Sequence, residues 1–338
     1  MLKKIITFCL LCMGILGLVE HTQASESDFN TFSVEGIPNE NQLDPDAGYF
    51  YLREKPGAQD KIKLEIRNTS SEKKIFIVKV TDANTNTNGL IDYTGQLPNS
   101  NELKTPLTQI VNPKKQEVTV PKNSAKEVTI EITMPQEPKP GVLMGGVVVS
   151  EKKDTTNKSK TISIGNTYSY TLGVLLTNEN NTTFNKNISV TLKNVQAKLL
   201  DGRKIIEGTI LNNNPYVFGK AVMTGRVINE KNKEVVKERT QNEISIAPYS
   251  VFPFQIDYKK EELSAGDYVF EGSIKTKEKT WQFSKKFSIT EKQAKNINEK
   301  SVFQVQISSW LNYGLYVLAV LNVLLLITIF LIWGKRNE

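Results

Sequence analysis

The sequence has almost no cysteine or histidine. Its 338 residues include two cysteines and one histidine, and these three, Cys9, Cys12 and His21, lie near the N-terminus. Removal of a signal peptide would leave a mature chain without either residue type. Such a chain forms no disulfide, uses no thiol nucleophile, and builds neither a Ser-His-Asp triad nor a Cys/His zinc site. We predict no metal site and no cofactor.

The sequence also lacks a strong excess of one charge. It has 43 basic and 36 acidic residues, a formal net charge of +7. The two ends of the chain account for four of the basic and two of the acidic residues. Between them remain 39 basic and 34 acidic residues, a net charge of +5. Solvated surface lysines, or a weak attraction to anionic wall polymers, explain this balance. It is not a nucleic-acid-binding signature, and we predict no nucleic-acid partner.

The N-terminal end has the pattern of a secretory leader. Lys3 and Lys4 precede an apolar run over residues 5–19, and Thr22 and Ala24 are the small residues that a signal peptidase requires. We predict a signal peptide over residues 1–24. An uncleaved anchor helix is the alternative, but the apolar run is short for a membrane span.

The C-terminal end has the pattern of a membrane anchor. Residues 314–333 are almost entirely apolar, and a helix of about twenty residues spans the ~30 Å hydrocarbon core of a bilayer. Lys335 and Arg336 follow it, which favours a cytoplasmic tail over residues 334–338. The sequence predicts a single-pass protein of the cell membrane whose N-terminal ectodomain faces the cell wall. Residues 292–312, charged and rich in Gln and Asn, are interpreted as a stalk.

Between the ends, the chain lacks helical periodicity and shows strand patterns instead. Residues 61–68 alternate, with Ile62, Leu64 and Ile66 on one face, and similar short segments recur with turn residues between them. The pattern predicts an all-β protein with two immunoglobulin-like antiparallel β-sandwich domains, followed by the stalk and one transmembrane helix. We place the first over residues 30–180, with a core of about 32–152, and the second over 183–291. Their boundary lies within about 152–182.

A compact aromatic group is the first candidate ligand site. Phe50 is expected in the core, so alternation along a strand places Tyr49 and Tyr51 on the opposite face. Flat, exposed rings there could stack on sugars, whereas ordinary packing is the default role of such residues. We take Tyr49 and Tyr51 as candidate ligand-binding residues.

An amide-rich segment is the second candidate. Asn84, Asn86, Asn88 and a following glycine have the alternation of a calcium loop, but position twelve is Gly95, where that loop needs a bidentate Glu. A turn held by its own side chains explains the segment. The alternative is that its amides bind the hydroxyl or acetamido groups of a glycan. We therefore include Asn84, Asn86 and Asn88, together with Tyr93 at the end of the segment, among the candidates.

No catalytic residues are predicted. Ser70, Ser71 and Ser150 each precede a lysine by three positions, as in penicillin-recognising enzymes, but they lie in polar turns. The Ser-Asp-Asn and Lys-Thr-Gly elements of those enzymes are missing. No pair of carboxylates stands out for glycoside hydrolysis.

Several short motifs resemble those of the WxL-interacting protein family of Gram-positive bacteria. In order along the chain they are Phe32-Ser-Val, Pro38-Asn39 with Asn41-Gln42, Gly48-Tyr49-Phe50, Lys55-Pro56-Gly57, Asn68, Ala83-Asn-Thr-Asn86-x-Asn88-Gly89-x-Ile91-x-Tyr93, Gly141, Gly145-Gly146-Val-Val-Val and Tyr168-x-Tyr170-x-x-Gly173-Val174. The resemblance extends over nearly the whole chain, including the leader and the C-terminal apolar run.

This resemblance implies an N-terminal peptidoglycan-binding part and a following host-binding part, anchored in the membrane. It implies as partners peptidoglycan, secreted WxL-domain proteins and host extracellular-matrix proteins. The family divides its parts near residue 155, whereas the strand assignment keeps residues 166–177 in the first sandwich. We expect a non-enzymatic binding protein. The alternatives are a wall-processing enzyme, which needs two carboxylates about 5 to 10 Å apart in a cleft, and a structural spacer without glycan affinity.

Overall fold

The structure, a computed structural model, describes residues 31–152, 168–180, 182, 185–186, 189–302 and 316–324. This part of the chain is mostly β-structure arranged in several sheets. The predicted signal peptide, residues 303–312 of the predicted stalk and the predicted cytoplasmic tail lie outside the described residues.

Within the described residues, the first sandwich contains eleven strands, of which β2 and β11 are parallel neighbours. The strands are β1 (Phe32–Ile37), β2 (Phe50–Arg53), β3 (Gln59–Asn68), β4 (Lys74–Asp82), β5 (Asn84–Thr85), β6 (Ile91–Asp92), β7 (Val111–Asn112), β8 (Lys115–Val120), β9 (Ser124–Thr133), β10 (Leu143–Glu151) and β11 (Ser169–Thr177). One sheet has the order β1-β3-β9-β7, the other has the order β2-β11-β10-β4-β8, and β5 and β6 form a separate hairpin.

The core of this sandwich follows from alternation along the strands. Ile62, Leu64 and Ile66 of β3 are at most 1% exposed and pack with residues such as Val147 and Val149 of the opposite sheet. Each such side chain stabilises the fold by about 1.5–3 kcal/mol. One feature corrects the prediction of purely antiparallel sandwiches, because β2 pairs with β11 in parallel. The chain passes from one sheet to the other between β1 and β2 and so forms no hairpin there.

The second sandwich, described over residues 189–302, contains seven strands there and ends in a helix. The elements are β12 (Val190–Leu200), β13 (Arg203–Asn212), β14 (Phe218–Asn229), β15 (Val235–Ile246), β16 (Val251–Asp257), β17 (Gly266–Lys275), β18 (Thr280–Ile289) and α1 (Glu291–Lys300). Its sheets have the orders β12-β13-β16 and β15-β14-β17-β18. Phe218, Phe252, Phe254 and Phe270 are fully buried between them.

The two sandwiches share one strand order. The three strands β1-β3-β9 correspond to β12-β13-β16, and the four strands β8-β4-β10-β11 correspond to β15-β14-β17-β18. The first sandwich has additional strands in two insertions. One insertion, between β1 and β3, contains β2, and the other, between β4 and β8, contains the β5–β6 hairpin and β7.

A buried asparagine marks the same corner in both sandwiches. Asn68 ends β3 and Asn212 ends β13, and both side chains are inaccessible to solvent. The amide nitrogen of Asn68 donates to three backbone carbonyl oxygens at 2.8, 3.2 and 3.0 Å. The amide nitrogen of Asn212 likewise donates to three backbone carbonyl oxygens, at 2.9, 3.1 and 3.0 Å. Each asparagine therefore joins the end of one sheet to two loops.

The prediction of a stalk from residue 292 is wrong for its first nine residues, which belong to α1. Thr290 caps this helix by accepting a hydrogen bond from the Gln293 backbone at 3.2 Å. Ala294 and Ile297, three residues apart on one face, are 6% and 4% exposed. The helix thus packs on the second sandwich through an apolar face.

The C-terminal apolar run is described only over residues 316–324, which are helical. Within the described residues, no helix is both long enough and apolar enough to cross a membrane. The other residues of the predicted span, 314–315 and 325–333, lie outside the described part.

Candidate functional site

The two insertions of the first sandwich place three of the predicted ligand residues together. Phe50 is 3% exposed and packs in the core, as predicted, whereas Tyr49 beside it is 42% exposed and Tyr51 is half-buried. Tyr93 follows β6 and lies beside Tyr49. Tyr49, Tyr51 and Tyr93 together form what we call the tyrosine surface.

Two glycines of the underlying sheet allow the tyrosine rings to approach it closely. A Cβ atom on Gly146 of β10 would lie 3.0 Å from Cβ of Tyr93, and one on Gly173 of β11 would lie 3.4 Å from Cβ of Tyr49. The pKa of Tyr93 is raised to about 12, mainly because the side chain is buried and secondly because Tyr49 lies beside it. Tyr93 therefore stays neutral at physiological pH and presents an uncharged aromatic group.

Two depressions flank Tyr49. A groove of about 310 Å³ lies between β1, the loop before β2, and Leu172 of β11, with Tyr49 in its wall. A smaller junction pocket of about 90 Å³ also has Tyr49 in its wall. The junction pocket is lined by Tyr49, Tyr51, Val142, Leu175, Thr182, Tyr216 and Val217. It therefore contains residues of both sandwiches.

The predicted amide ligands lie elsewhere, in the β5–β6 hairpin. Asn84 is only 5% exposed, and its amide nitrogen donates to Oδ1 of Asn99 at 2.9 Å. Oδ1 of Asn86 accepts hydrogen bonds from the backbone nitrogens of Asn88 and Leu90 at 2.9 and 3.2 Å. The side chains of Asn84 and Asn86 thus hold the hairpin, and Asn88 is exposed at its turn.

The same hairpin contacts the second sandwich. The carbonyl oxygen of Gly89 accepts from the Ser245 backbone at 2.7 Å, and Oγ1 of Thr85 accepts from the Ala247 backbone at 3.0 Å. Gly89 has a φ of +67°, and a Cβ atom there would lie 2.6 Å from Cγ2 of Ile244. The amide-rich motif therefore joins the two sandwiches, through a contact between residues 162 positions apart in sequence.

A second contact between the sandwiches centres on Gly141. The Val142 backbone donates to the carbonyl oxygen of Pro215 at 2.9 Å. The carboxylate of Glu179 accepts from the Gly141 backbone at 3.0 Å and from the Tyr216 hydroxyl at 2.5 Å. Burial alone would raise the pKa of Glu179, but these hydrogen bonds, with that from Tyr216 the stronger, hold it below its usual value. Glu179 is therefore an ionised acceptor at the junction.

A buried carboxyl pair was not singled out from the sequence. Glu54 is 2% exposed, and burial followed by the neighbouring Asp60 raises its pKa to about 8. Burial acts in the same direction on Asp60, but hydrogen bonds from Glu54, Asn41 and Asn39 lower its pKa below the usual value. The motif around Asn39 and Asn41 thus packs against a carboxyl pair in which Glu54 keeps its proton at neutral pH.

This pair does not have the geometry that a carboxylate-dependent hydrolase requires. The amide nitrogen of Asn41 lies 3.3 Å from Oε1 of Glu54 and 3.0 Å from Oδ2 of Asp60. Glycoside hydrolysis needs a sugar between two carboxyl groups at least about 5 Å apart. Because Glu54 is buried and the two groups share one amide donor, no sugar fits between them.

The second sandwich has a polar depression of about 500 Å³ on the outer face of its four-stranded sheet. We call this the polar face. It is lined by Thr224, Arg226, Glu238, Glu271, Gly272, Ser273, Gln282, Phe283 and Ser284. Nη2 of Arg226 donates to Oε2 of Glu271 at 3.0 Å. Sequence reasoning missed this face because exposed polar residues on a strand also indicate ordinary solvent contact.

Across residues 31–152, 168–180, 189–302 and the short described segments, no three or more His, Cys, Asp or Glu residues are grouped so as to hold a metal ion.

Two family models match the chain. Residues 32–151 match the model described as WxL Interacting Protein, peptidoglycan binding domain. Residues 159–299 match the model described as WxL Interacting Protein, host binding domain. The second match includes the sequence of β11, although β11 lies in space in the first sandwich, between β2 and β10. A search of curated proteins found no match.

Solved structures with limited likeness include several fimbrial chaperones. The class 5 fimbriae chaperone CfaA is 15% identical with a TM-score of 0.28, covering 75% of this chain and 99% of that one. The E. coli chaperone DraB is 12% identical with a TM-score of 0.29, covering 77% and 100%. The CsuC-CsuE complex from Csu pili of Acinetobacter baumannii is 12% identical with a TM-score of 0.30, covering 75% and 98%. These scores are too low to support an argument about function.

Proposed function

Because the chain belongs to the WxL-interacting protein family, we propose that it is a non-enzymatic binding protein of the bacterial surface. Its first sandwich holds peptidoglycan, and its second sandwich holds a secreted WxL-domain protein or a host matrix protein. The observation that carries the first half is the tyrosine surface beside the groove of about 310 Å³.

The groove has the chemistry of a glycan site. Its volume lies at the lower end of the range typical of ligand sites, about 300–1,000 Å³. Tyr49 offers one exposed aromatic face on which a pyranose ring can stack. Gln42 shapes the same groove, because its amide nitrogen donates to the carbonyl oxygens of Asp44 and Tyr49 at 2.8 and 3.0 Å. Tyr49 is the residue on which we expect glycan affinity to depend most, because 42% of it is exposed.

The polar face of the second sandwich supports the second half of the proposal. Protein interfaces are enriched in arginine, and a sheet face with alternating charges and hydroxyls can pair with a partner through hydrogen bonds. Arg226 is exposed and Glu271 lies beside it. A protein partner would cover this ion pair.

The location follows from the sequence of the two ends. We propose that residues 1–24 are a cleaved signal peptide and that residues 314–333 anchor the protein in the cell membrane, with residues 334–338 in the cytoplasm. The two sandwiches would then lie outside, between membrane and wall. In this arrangement the protein connects the membrane to peptidoglycan.

Sedimentation of the purified full chain with insoluble peptidoglycan tests the first half. We expect Tyr49→Ala to lower retention at least tenfold, because the stacking ring is removed. Tyr168→Ala is the matched control, since Tyr168 is 48% exposed at the start of β11. Equal retention of wild type and Tyr49→Ala at several salt concentrations would refute the assignment of this surface.

Capture by an immobilised WxL-domain protein tests the second half. The double variant Arg226→Ala/Glu271→Ala should lose capture at least tenfold. Lys63→Ala/Glu127→Ala removes a similarly exposed ion pair on the first sandwich, 2.9 Å between Nζ and Oε1, and should capture normally. Undiminished capture by the first double variant would place the partner site elsewhere.

A further inference from the structure

We propose that the junction pocket binds the acetamido group of an N-acetylated sugar, an inference that rests on the peptidoglycan-binding function proposed above. The pocket and the groove share Tyr49 as a wall residue. A sugar ring stacked on Tyr49 can therefore direct a substituent into the pocket. The consequence is that residues of the second sandwich take part in glycan recognition.

The lining of the pocket suits a methyl group. Val142, Leu175 and Val217 contribute aliphatic side chains, and Tyr49, Tyr51 and Tyr216 contribute aromatic ones. Val142 and Val217 are each 6% exposed, so they form a buried wall. A methyl group that moves from water into such apolar surroundings is stabilised by the hydrophobic effect.

The size of the pocket limits what can enter. A cavity of about 150 Å³ accommodates benzene, which has six heavy atoms. The junction pocket, at about 90 Å³, has room for about four heavy atoms on the same scale. An acetamido group has four. A whole sugar ring does not fit.

Two hydroxyl groups in the wall supply the polar contacts. Oη of Tyr51 and Oγ1 of Thr182 are hydrogen-bonded to each other, and the Thr182 backbone donates to Oη of Tyr51 at 3.2 Å. Whichever hydroxyl donates within this pair, the other keeps a hydrogen that can be donated to the acetamido carbonyl. The pocket thus combines an apolar floor with a hydroxyl donor, which matches both ends of an acetamido group.

The pocket is incomplete without the second sandwich. Tyr216 and Val217 immediately precede β14, in the part matched by the host-binding model. The Tyr216 hydroxyl is fixed by its hydrogen bond to Glu179, so its ring remains in the pocket wall. The division into a peptidoglycan-binding and a host-binding part therefore does not coincide with the limits of the glycan site.

The test compares two neutral tetrasaccharides that differ at the acetamido group. Calorimetric titration of the purified full chain with chitotetraose, an oligomer of N-acetylglucosamine, should give at least tenfold tighter binding than titration with cellotetraose, which has hydroxyl groups instead. Val217→Phe fills the pocket and should reduce the affinity for chitotetraose to that for cellotetraose. Val222→Phe, at a 37% exposed position on β14, is the control and should keep the preference.

Equal affinity for the two oligosaccharides in the wild-type protein would overturn the inference without any variant. If Val217→Phe does not fold, this wild-type comparison decides alone. A protein that sediments with peptidoglycan but shows no preference would refute the acetamido pocket and leave the proposed function intact. Removal of the stem peptides from the wall gives a further outcome. If the protein is then no longer retained by the peptidoglycan, the pocket binds alanine methyl groups of those peptides, and the inference is overturned.

Discussion

The two sandwiches repeat one strand order but differ in what is inserted into it. Both contain the same order of three strands in one sheet and of four strands in the other, and in both a central strand ends in a buried asparagine. The first sandwich adds β2 and the β5–β6 hairpin. These insertions contain the tyrosine surface and one contact to the second sandwich. The shared strands thus carry the cores and the buried asparagine corners, whereas the insertions supply the tyrosine surface and one of the two described contacts between the sandwiches.

The shared part of the comparison is tested by Asn68→Ala and Asn212→Ala. Each substitution removes three side-chain hydrogen bonds to backbone carbonyl oxygens, all of them buried at Asn212 and two of them part-buried at Asn68. We expect each to lower the free energy of unfolding by about 3 kcal/mol. Urea denaturation of the full chain measures this loss. Asn101→Ala, in an exposed loop, should change it by less than ~0.5 kcal/mol. A small effect of only one corner would show that the two corners are not equivalent.

The contact between the two sandwiches is tested by Gly141→Ala. Gly141 has a φ of +73°, and a Cβ atom there would lie 2.0 Å from the carbonyl oxygen of Pro215. Because a backbone atom must move, we expect a loss of about 2 kcal/mol and separation of the unfolding of the two sandwiches in calorimetry. Gly48→Ala, where no heavy atom lies within 4 Å of the added Cβ, should leave the unfolding profile unchanged. A profile of Gly141→Ala identical to wild type would contradict a rigid junction.

The smallest expected effect concerns the carboxyl pair in the first insertion. The pKa of Glu54 is about 8 in the folded protein against about 4.5 in a free side chain. Between these values the folded state holds a proton that the unfolded state has lost, so the free energy of unfolding falls as pH rises from about 5 to 8. The lowered pKa of Asp60 acts below this window. We expect Glu54→Gln to reduce the pH dependence of the melting temperature.

Glu35→Gln on β1 serves as the control for that measurement, because Glu35 is exposed. It should retain the wild-type dependence on pH. If Glu54→Gln and wild type lose stability in parallel from pH 5 to 8, Glu54 is not protonated in the folded protein.

Local pattern predicted much of the scaffold and half of the site. Alternation in β3 and around Phe50 placed the core side chains and the exposure of Tyr49 from neighbouring residues alone. The hairpin contacts of Thr85 and Gly89 could not be predicted in this way, because they depend on a strand far along the chain. The pairing of Glu54 with Asp60 could not be predicted for a similar reason, because the sequence does not show that one of these two carboxyl groups is buried.

The helix α1 shows the limit of composition as a guide. Its charged and amide-rich sequence indicated a stalk, yet Ala294 and Ile297 pack it on the second sandwich. Two apolar residues on one face were sufficient because Asn298 adds two hydrogen bonds to the backbone of Leu263, at 3.0 and 2.9 Å.

We propose that wall binding centres on Tyr49 of the tyrosine surface, while a protein partner binds the polar face of the second sandwich. Parallel measurement of peptidoglycan sedimentation and WxL-domain capture on Tyr49→Ala and on Arg226→Ala/Glu271→Ala tests it most directly. The account predicts that the first variant loses sedimentation and keeps capture, and that the second keeps sedimentation and loses capture. Loss of both activities in either variant, with its melting temperature unchanged, would contradict the division of binding between the two sandwiches.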